Sequence, residues 1–355
     1  MLMQNYNGES TLFDLENPAM CAALKQTPLQ VLKDCRGLVV IDEVQRMPEL
    51  FNILRPLCDE NNGQRVFLLL GSASPDIIKG VSESLTGRAA FLNVGGFSLE
   101  ECGPENQDKL WLQGGFPRAF LCERDRAFRW LDDFSRTFLE RDIPQLGLRI
   151  PAATLRRFWL TMSHYHGQTW NAAEVGRAFS VGPSAANHYR DILAGAYMMY
   201  VLPPWFENIK KRQVRSPKVY FRDSGLLHSF LGVTSMNDLR CHPRYGASWE
   251  GFALMQVLTL AGDRDAFFWS TQRGAELDLI LMRRGARYGF EFKCTDSPGT
   301  TRSMHVAMKD LGLDHLWIVY PGDLKFGLGD GITALPLKSI YELNETIGLR
   351  LSSIE

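Results

Sequence analysis

Two adjacent carboxylates open the chemistry of this chain. In "GLVVIDEVQRMPEL" the apolar run Leu38 to Ile41 ends in Asp42 and Glu43. A continuous apolar run reads as a strand buried on both faces, and charge at the carboxyl end of a parallel strand faces a ligand crevice. An Asp there can hold a magnesium-coordinated water, and a Glu beside it can orient an attacking water, as nucleoside-triphosphate hydrolysis requires. The competing reading is a strand-end pair that caps a helix or faces solvent. The next apolar run, "FLLLGSAS", ends in Ser72, a hydroxyl placed for a γ-phosphate, and "SLTGR" then supplies Arg88, a cation for developing phosphoryl charge. Taken singly, Ser72 reads as a turn residue and Arg88 as a surface residue. Their order and spacing join them to the acidic pair.

A second set lies near the C-terminus, in "ELDLILMRRGARYGFEFKC". Strand alternation puts Glu276 and Asp278 on one face and Leu277 and Leu279 on the other. Glu291 and Lys293 share a face of the next strand, flanked by Phe290 and Phe292. Glu250, on the apolar helix "SWEGFALMQVLTLAG", is a further contributor. Carboxylates and a Lys converging on adjacent strands fit a magnesium- or manganese-dependent site, with Lys293 activating water or stabilising charge. The plainer alternative is a salt-bridged strand pair, Glu291 or Asp278 with Lys293.

A third set combines a helical face with basic residues. "TWNAAEVGRAFSVGPSAANHYRDILAGAYM" fits two helices joined at "SVGPS". The second helix puts Ala186, Tyr189, Leu193 and Ala196 on the core and turns Ser184, Asn187, His188 and Asp191 outward. Asn187 suits base reading in a DNA groove, whereas Asp191 opposes phosphate approach. "NIKKRQVRSPK" follows with Lys210, Lys211, Arg212, Arg215 and Lys218, a hairpin wing and the best local phosphate-binding patch of the chain. The alternatives are a solvated loop and an interdomain contact.

The elements that must position these residues follow from pattern. "STLFDLE", "GLVVID", "RVFLLLGS" and "AAFLNV" read as strands, with helical spacing in "PELFNILRPLCDEN" and "SPDIIKGVSESLTG" between them, so residues 1–97 read as an α/β layer with a parallel sheet. Residues 98–165 read as mostly helical, 166–239 as helix–turn–helix followed by a strand pair, and 240–355 as a helix leading into short strands. A chain of 355 residues holds two or three domains with cores of their own. Its net charge of −1 leaves nucleic-acid binding to a local patch. The seven Cys are scattered without C-x-x-C or zinc spacing, which points to a reducing compartment. His164 and His166 in "SHYHGQ" read as helix-end residues rather than ligands. No apolar run is long enough for a membrane helix and the N-terminus lacks a signal pattern, so the reading is a cytoplasmic protein without a membrane partner.

The chain resembles the prokaryotic AAA-type ATPases that carry a C-terminal domain of unknown function, the DUF4143 group. The resemblance runs nearly end to end, through "IDEVQRMPELF", "LLLGSASPDII", "SLTGR", "GGFPRAFL", "RTFLERDIPQLG", "NIKKRQVRSPKVYFRDSGLLH", "ASWEGFAL", "AELDLIL" and "FEFK". It implies an AAA-type nucleotide-binding core over 1–97, a helical segment over 98–165, a winged helix over 166–239, and an α/β domain similar to PD-(D/E)xK nucleases over 240–355. It also implies that Asp42 and Glu43 are a Walker B pair, with Asp42 on the magnesium that accompanies ATP, that Ser72 is a sensor and that Arg88 is finger-like. At the C-terminal site the resemblance gives Glu250, Asp278 and Glu291 to a divalent metal and Lys293 to the chemistry.

In one respect the chain departs from the family. The G-x-x-x-x-G-K-[ST] loop that cradles phosphates is absent, and no Gly-Lys dipeptide occurs anywhere. Impaired ATP binding is therefore expected, as is a segment encoding the loop upstream of the start codon. Without the family's first, central strand, "AAFLNV" is expected to lose its partner. Three readings stay open: an ATP-dependent protein with a DNA- or protein-directed output, a metal-dependent nuclease, and a non-catalytic interaction protein.

Overall fold

A computed structural model of the chain describes residues 6–60, 65–71, 81, 83–145, 150–206 and 214–348. It divides into two compact units, residues 1–93 with 195–197, and residues 94–194 with 198–355.

In the first unit, β1 (Ser10–Asp14), β2 (Gly37–Asp42) and β3 (Arg65–Leu69) form a parallel sheet in the order β1-β2-β3. Parallel neighbours need crossovers, supplied by α1 (Pro18–Gln26) with α2 (Pro28–Asp34), and by α3 (Leu50–Asp59). The sequence sets these boundaries locally. The Asn17 side chain accepts from the Ala19 N–H, and Pro18 takes the first helical position, where its missing N–H costs nothing. Leu50, Leu54 and Leu57 recur at helical spacing and, with Phe51, bury one face of α3 against Val39 and Ile41 of β2. Truncating such a Leu, for example Leu54→Ala, costs about 2–5 kcal/mol.

"AAFLNV" forms no strand. Residues 89–94 lack secondary structure, and Phe91 and Leu92 are 56% and 73% exposed. The physical reason is at β3. Its outer edge is open among the described residues, and the strand expected to stand between it and 89–94 is not among them.

The second unit begins with short helices α4 (Leu99–Cys102), α5 (Gln107–Gln113) and α6 (Pro117–Phe120), and the amphipathic α7 (Arg124–Thr137). Then come α8 (Ala152–Tyr165), α9 (Ala172–Ala178) and α10 (Pro183–Gly195). A small antiparallel sheet follows, ordered β4-β6-β5, from β4 (Gln168–Thr169), β5 (Met199–Leu202) and β6 (Lys218–Phe221). Helices α11 (Ser224–Leu231), α12 (Met236–Cys241) and α13 (Tyr245–Ala261) lead to a six-stranded mixed sheet, ordered β11-β12-β10-β9-β8-β7. Its strands are β7 (Ala266–Ser270), β8 (Glu276–Arg283), β9 (Ala286–Phe292), β10 (His315–Tyr320), β11 (Phe326–Gly329) and β12 (Ile332–Pro336), with α14 (Arg302–Leu311) between β9 and β10.

Two of the motifs in the family resemblance meet here. Asp223 caps α11 through the Leu226 N–H at 2.7 Å and also accepts from the Gly115 N–H at 2.8 Å, so "GGFPR" and "FRDSGLLH" are held by one carboxylate. Burial pushes the Asp223 carboxyl up to about 6, although backbone N–H groups of Leu226, Gly115, Phe116 and Gly225 act to lower it. Gly225 lies directly against the Gln113 carbonyl, closer than any side chain allows.

Candidate functional sites

Asp42 ends β2, aligned with Asp14 at the end of β1, and both carboxylates therefore sit at the C-terminal edge of the parallel sheet. Asp42 and Glu43 are half-buried. Asp42 Oδ1 accepts from the Glu43 N–H at 3.0 Å, and Gln45 Nε2 donates to Glu43 Oε2. Glu43 adopts φ 55, ψ 43, a left-handed conformation uncommon outside glycine.

Arg88 is not brought to this pair. Its guanidinium grips Asp59, Nε to Oδ1 at 2.5 Å and Nη2 to Oδ2 at 3.0 Å. Asp59 is the last residue of α3, which runs back along the sheet from the Asp42 edge for about 15 Å. Ser72 lies outside the described residues.

The C-terminal carboxylates converge, and so does a residue that sequence reading had assigned elsewhere. Glu276 and Asp278 come from β8, Glu291 from β9 and Glu250 from the second turn of α13. Asp278 and Glu291 are buried, and their neighbours Leu277, Leu279, Phe290 and Phe292 bury the opposite face. Lys293 pairs with Glu291 at 2.6 Å. Asp278 Oδ2 accepts the Phe292 N–H at 3.0 Å.

Lys218, read above as part of an exposed basic wing, is instead only 4% exposed. It opens β6, and its Nζ meets Glu250 Oε1 at 3.1 Å, Asp278 Oδ1 at 3.4 Å and Glu276 Oε1. A buried ammonium needs such partners, which is why this Lys faces carboxylates and not a DNA backbone. Tyr220, two residues along the same strand, donates to Glu250 Oε1 at 2.7 Å. Sequence reading missed this role. The signal was the alternation in "KVYF", a Lys and a Tyr of equal parity in an otherwise apolar strand.

Electrostatics follow the burial. Desolvation raises Glu250 to about 6, against the pull of Lys218. It raises Glu291 to about 8, with Asp278 adding to the rise and Lys293 opposing it. Burial acts to lower Lys218, but Tyr220, Glu250, Asp278 and Glu276 more than reverse this and hold it charged.

As arranged, these residues do not fit a divalent cation. An ammonium already stands among the Glu250, Glu276 and Asp278 oxygens, and Lys293 holds one oxygen of Glu291. Glu291 Oε2 is buried without a hydrogen-bond partner, but one oxygen is not a ligand set. Among the described residues no three His, Cys, Asp or Glu are arranged to hold a metal ion.

Of the basic segment, Lys210, Lys211 and Arg212 lie outside the described residues, and Arg215 is exposed. Asn187 is half-buried, and its Oδ1 accepts from Trp170 Nε1 at 2.7 Å. The outward face of α10 otherwise holds Ser184, His188 and Asp191 as exposed residues, with Ala186 and Leu193 buried. An open polar cleft of about 910 Å³ lies beside Trp170, lined in part by Tyr165, Asn187, Arg190 and Arg215. The Arg190 guanidinium sits 5.3 Å from the Trp170 ring centre. No helix among the described residues is long and apolar enough to cross a membrane.

Residues 1–103 match the family described as an AAA domain, 104–237 match a domain of unknown function, DUF8612, and 245–340 match the domain of unknown function DUF4143. The uncharacterized protein Mb2031c of Mycobacterium bovis and the uncharacterized protein Rv2008c of Mycobacterium tuberculosis are each 46% identical to the chain over 329 residues, covering 92% of it and 74% of their own length. Among solved structures, protein VC1899 from Vibrio cholerae aligns over 91% of this chain and 96% of its own, but with 11% identity and a TM-score of 0.22 it bears no argument. With an AAA domain at its N-terminus and DUF4143 at its C-terminus, the chain belongs to the AAA-type ATPase family that carries a DUF4143 domain.

Proposed function

We propose that this chain contributes the acidic half of a nucleoside-triphosphate site, with ATP binding impaired in the chain as it stands, and that its output is directed to DNA. The observation that carries the first part is the left-handed backbone of Glu43 at the end of β2. Such strain costs on the order of 1–3 kcal/mol and clusters at functional sites, where the surroundings impose it. Here it aims two consecutive carboxylates at the carboxyl edge of the sheet. Asp42 would hold the magnesium ion of ATP, which neutralises phosphate charge when bound. Glu43 would orient the attacking water and accept its proton. The backbone N–H cradle and Lys of a phosphate loop are missing from the sequence, so the phosphates lack their main ligands.

Calorimetric titration with ATP and magnesium tests this directly. The chain should bind no more tightly than about millimolar, roughly −4 kcal/mol, and micromolar affinity would show that the loop is dispensable. Joining a strand–loop–helix with G-x-x-x-x-G-K-[ST] ahead of β1 should bring micromolar binding and hydrolysis. Glu43→Gln should then abolish hydrolysis and spare binding. No gain of binding in the joined protein would reject the site.

The DNA-directed output is supported by the cleft beside Trp170, where Asn187 and Arg190 are oriented by the indole and Arg215 is exposed. Changing Lys210, Lys211 and Arg212 together to Ala should weaken binding to all sequences and flatten its salt dependence, each lost phosphate contact changing the log–log slope by about 0.9. An unchanged slope would assign the segment to protein packing.

A further inference from the structure

Lys218 stands at the junction of three elements. It begins β6, yet its ammonium is enclosed by a carboxylate from α13 and two from β8. We infer that Lys218 is the resident cation of the C-terminal carboxylate cluster: it, rather than a divalent metal, compensates Glu250, Glu276 and Asp278, and it thereby clasps β6 to α13 and to the six-stranded sheet.

Donor and acceptor numbers match. An ammonium has three N–H bonds, and three carboxylates, those of Glu250, Asp278 and Glu276, surround Lys218 Nζ. The ammonium is also 5.7 Å from the Phe268 ring centre, which closes its apolar side. Tyr220 adds a second tie from β6 to the same Glu250 oxygen. Glu291 and Lys293 form a separate pair at 2.6 Å, so the second ammonium is already committed. A divalent ion entering among the Glu250, Glu276 and Asp278 oxygens would meet a buried positive charge already paired with them. The spacing that reads as a metal-dependent site in sequence is, in this fold, a set of ion pairs centred on a buried Lys 60 residues before Asp278.

The same argument predicts what removal of the Lys does. Breaking a buried ion pair from one side leaves uncompensated charge. Glu250, Glu276 and Asp278 would then become a vacant oxygen cluster open to a cation.

Manganese bound to the full chain, counted by electron paramagnetic resonance, tests the inference alongside thermal melts with and without magnesium or manganese. For the wild type the expected result is no manganese bound in a manner that Asp278→Asn removes, and no metal-dependent rise in Tm that Asp278→Asn abolishes. Lys218→Met, which keeps the stem and removes the charge, should lower Tm in metal-free buffer and gain a saturable, metal-dependent rise in Tm. That rise should vanish when Asp278→Asn is added. Stoichiometric manganese on the wild type, lost in Asp278→Asn, would overturn the inference. So would a Lys218→Met protein as stable as the wild type. Should Lys218→Met fail to fold, the wild-type manganese count decides alone, since binding at this cluster overturns the inference and its absence supports it.

Discussion

Tyr220 donates its phenol proton to Glu250 Oε1 at 2.7 Å, the same oxygen that Lys218 Nζ approaches at 3.1 Å. One carboxylate on α13 is thus held twice by alternating residues of β6. Strand parity makes this possible, because Lys218 and Tyr220 leave the strand on one face.

Tyr220→Phe keeps the ring and removes only the donor. It should lower the unfolding free energy by about 1.5–3 kcal/mol, the range for hydrogen bonds to charged groups. In a Glu250→Gln background the loss should be smaller, and urea unfolding of the four proteins of the double-mutant cycle measures the difference. Equal losses in both backgrounds would mean that Tyr220 acts through packing alone.

Two glycines should respond in opposite directions. At Gly225 an added Cβ overlaps the Gln113 carbonyl and the following backbone, which cannot swing away, so Gly225→Ala should abolish or severely weaken folding. At Gly246, in the first turn of α13, an added Cβ meets nothing within 4 Å. Gly246→Ala should stabilise by up to about 1 kcal/mol, the helix propensity difference. Thermal melts of the two variants check both signs.

Two buried histidines of the second unit each contribute a loss of stability in acid. Burial holds His166 down at about 3 and His228 at about 4. His166 Nδ1 accepts the Phe221 N–H at 2.9 Å, and His228 bridges the Leu112 carbonyl at 2.9 Å and Ser248 Oγ at 2.7 Å. Folded pKa values below the unfolded one of about 6.5 mean that the unfolded chain takes the proton first. Their contribution is present above about 6.5 and is lost as pH falls, by up to about 1.4 kcal/mol per unit for each ring. As Glu250 and Glu291 do, with carboxyls that burial also raises, Asp223 runs the other way. Its pKa is raised to about 6 by burial, so its contribution is complete below the ordinary carboxylate range and is lost as pH rises through about 6. His228→Gln keeps a donor and an acceptor but does not titrate. It should reduce the slope of unfolding free energy against pH by about one proton between about 6.5 and 4. An unreduced slope would remove His228 from the account.

Glu43→Gly should raise Tm. Glycine adopts the left-handed conformation freely, so the substitution relieves strain of about 1 kcal/mol or more. In the protein joined to a phosphate loop, the same change should eliminate hydrolysis. A lowered Tm would show that the Glu43 side chain, held by Gln45, contributes more than its backbone costs.

Much of the local structure was legible in the sequence. The apolar run ending at Asp42 is β2, the 3.6-residue recurrence of Leu50, Leu54 and Leu57 is the buried face of α3, and the alternation in "ELDLIL" puts Asp278 opposite Leu277 and Leu279. These are properties of neighbouring residues, and periodicity alone settles which side of an element is buried. What lies against that side was not legible. Lys218 reads as the end of a basic run because its neighbours in the chain are basic, yet its neighbours in space are Glu250, Glu276 and Asp278. Likewise "AAFLNV" has the composition of a strand, but a strand exists only where it pairs with another backbone, and among the described residues nothing pairs with 89–94 in a ladder. Composition and period are carried by adjacent residues and so are written in the sequence. Charge compensation and strand pairing depend on partners tens of residues away, and only the packed chain decides who they are.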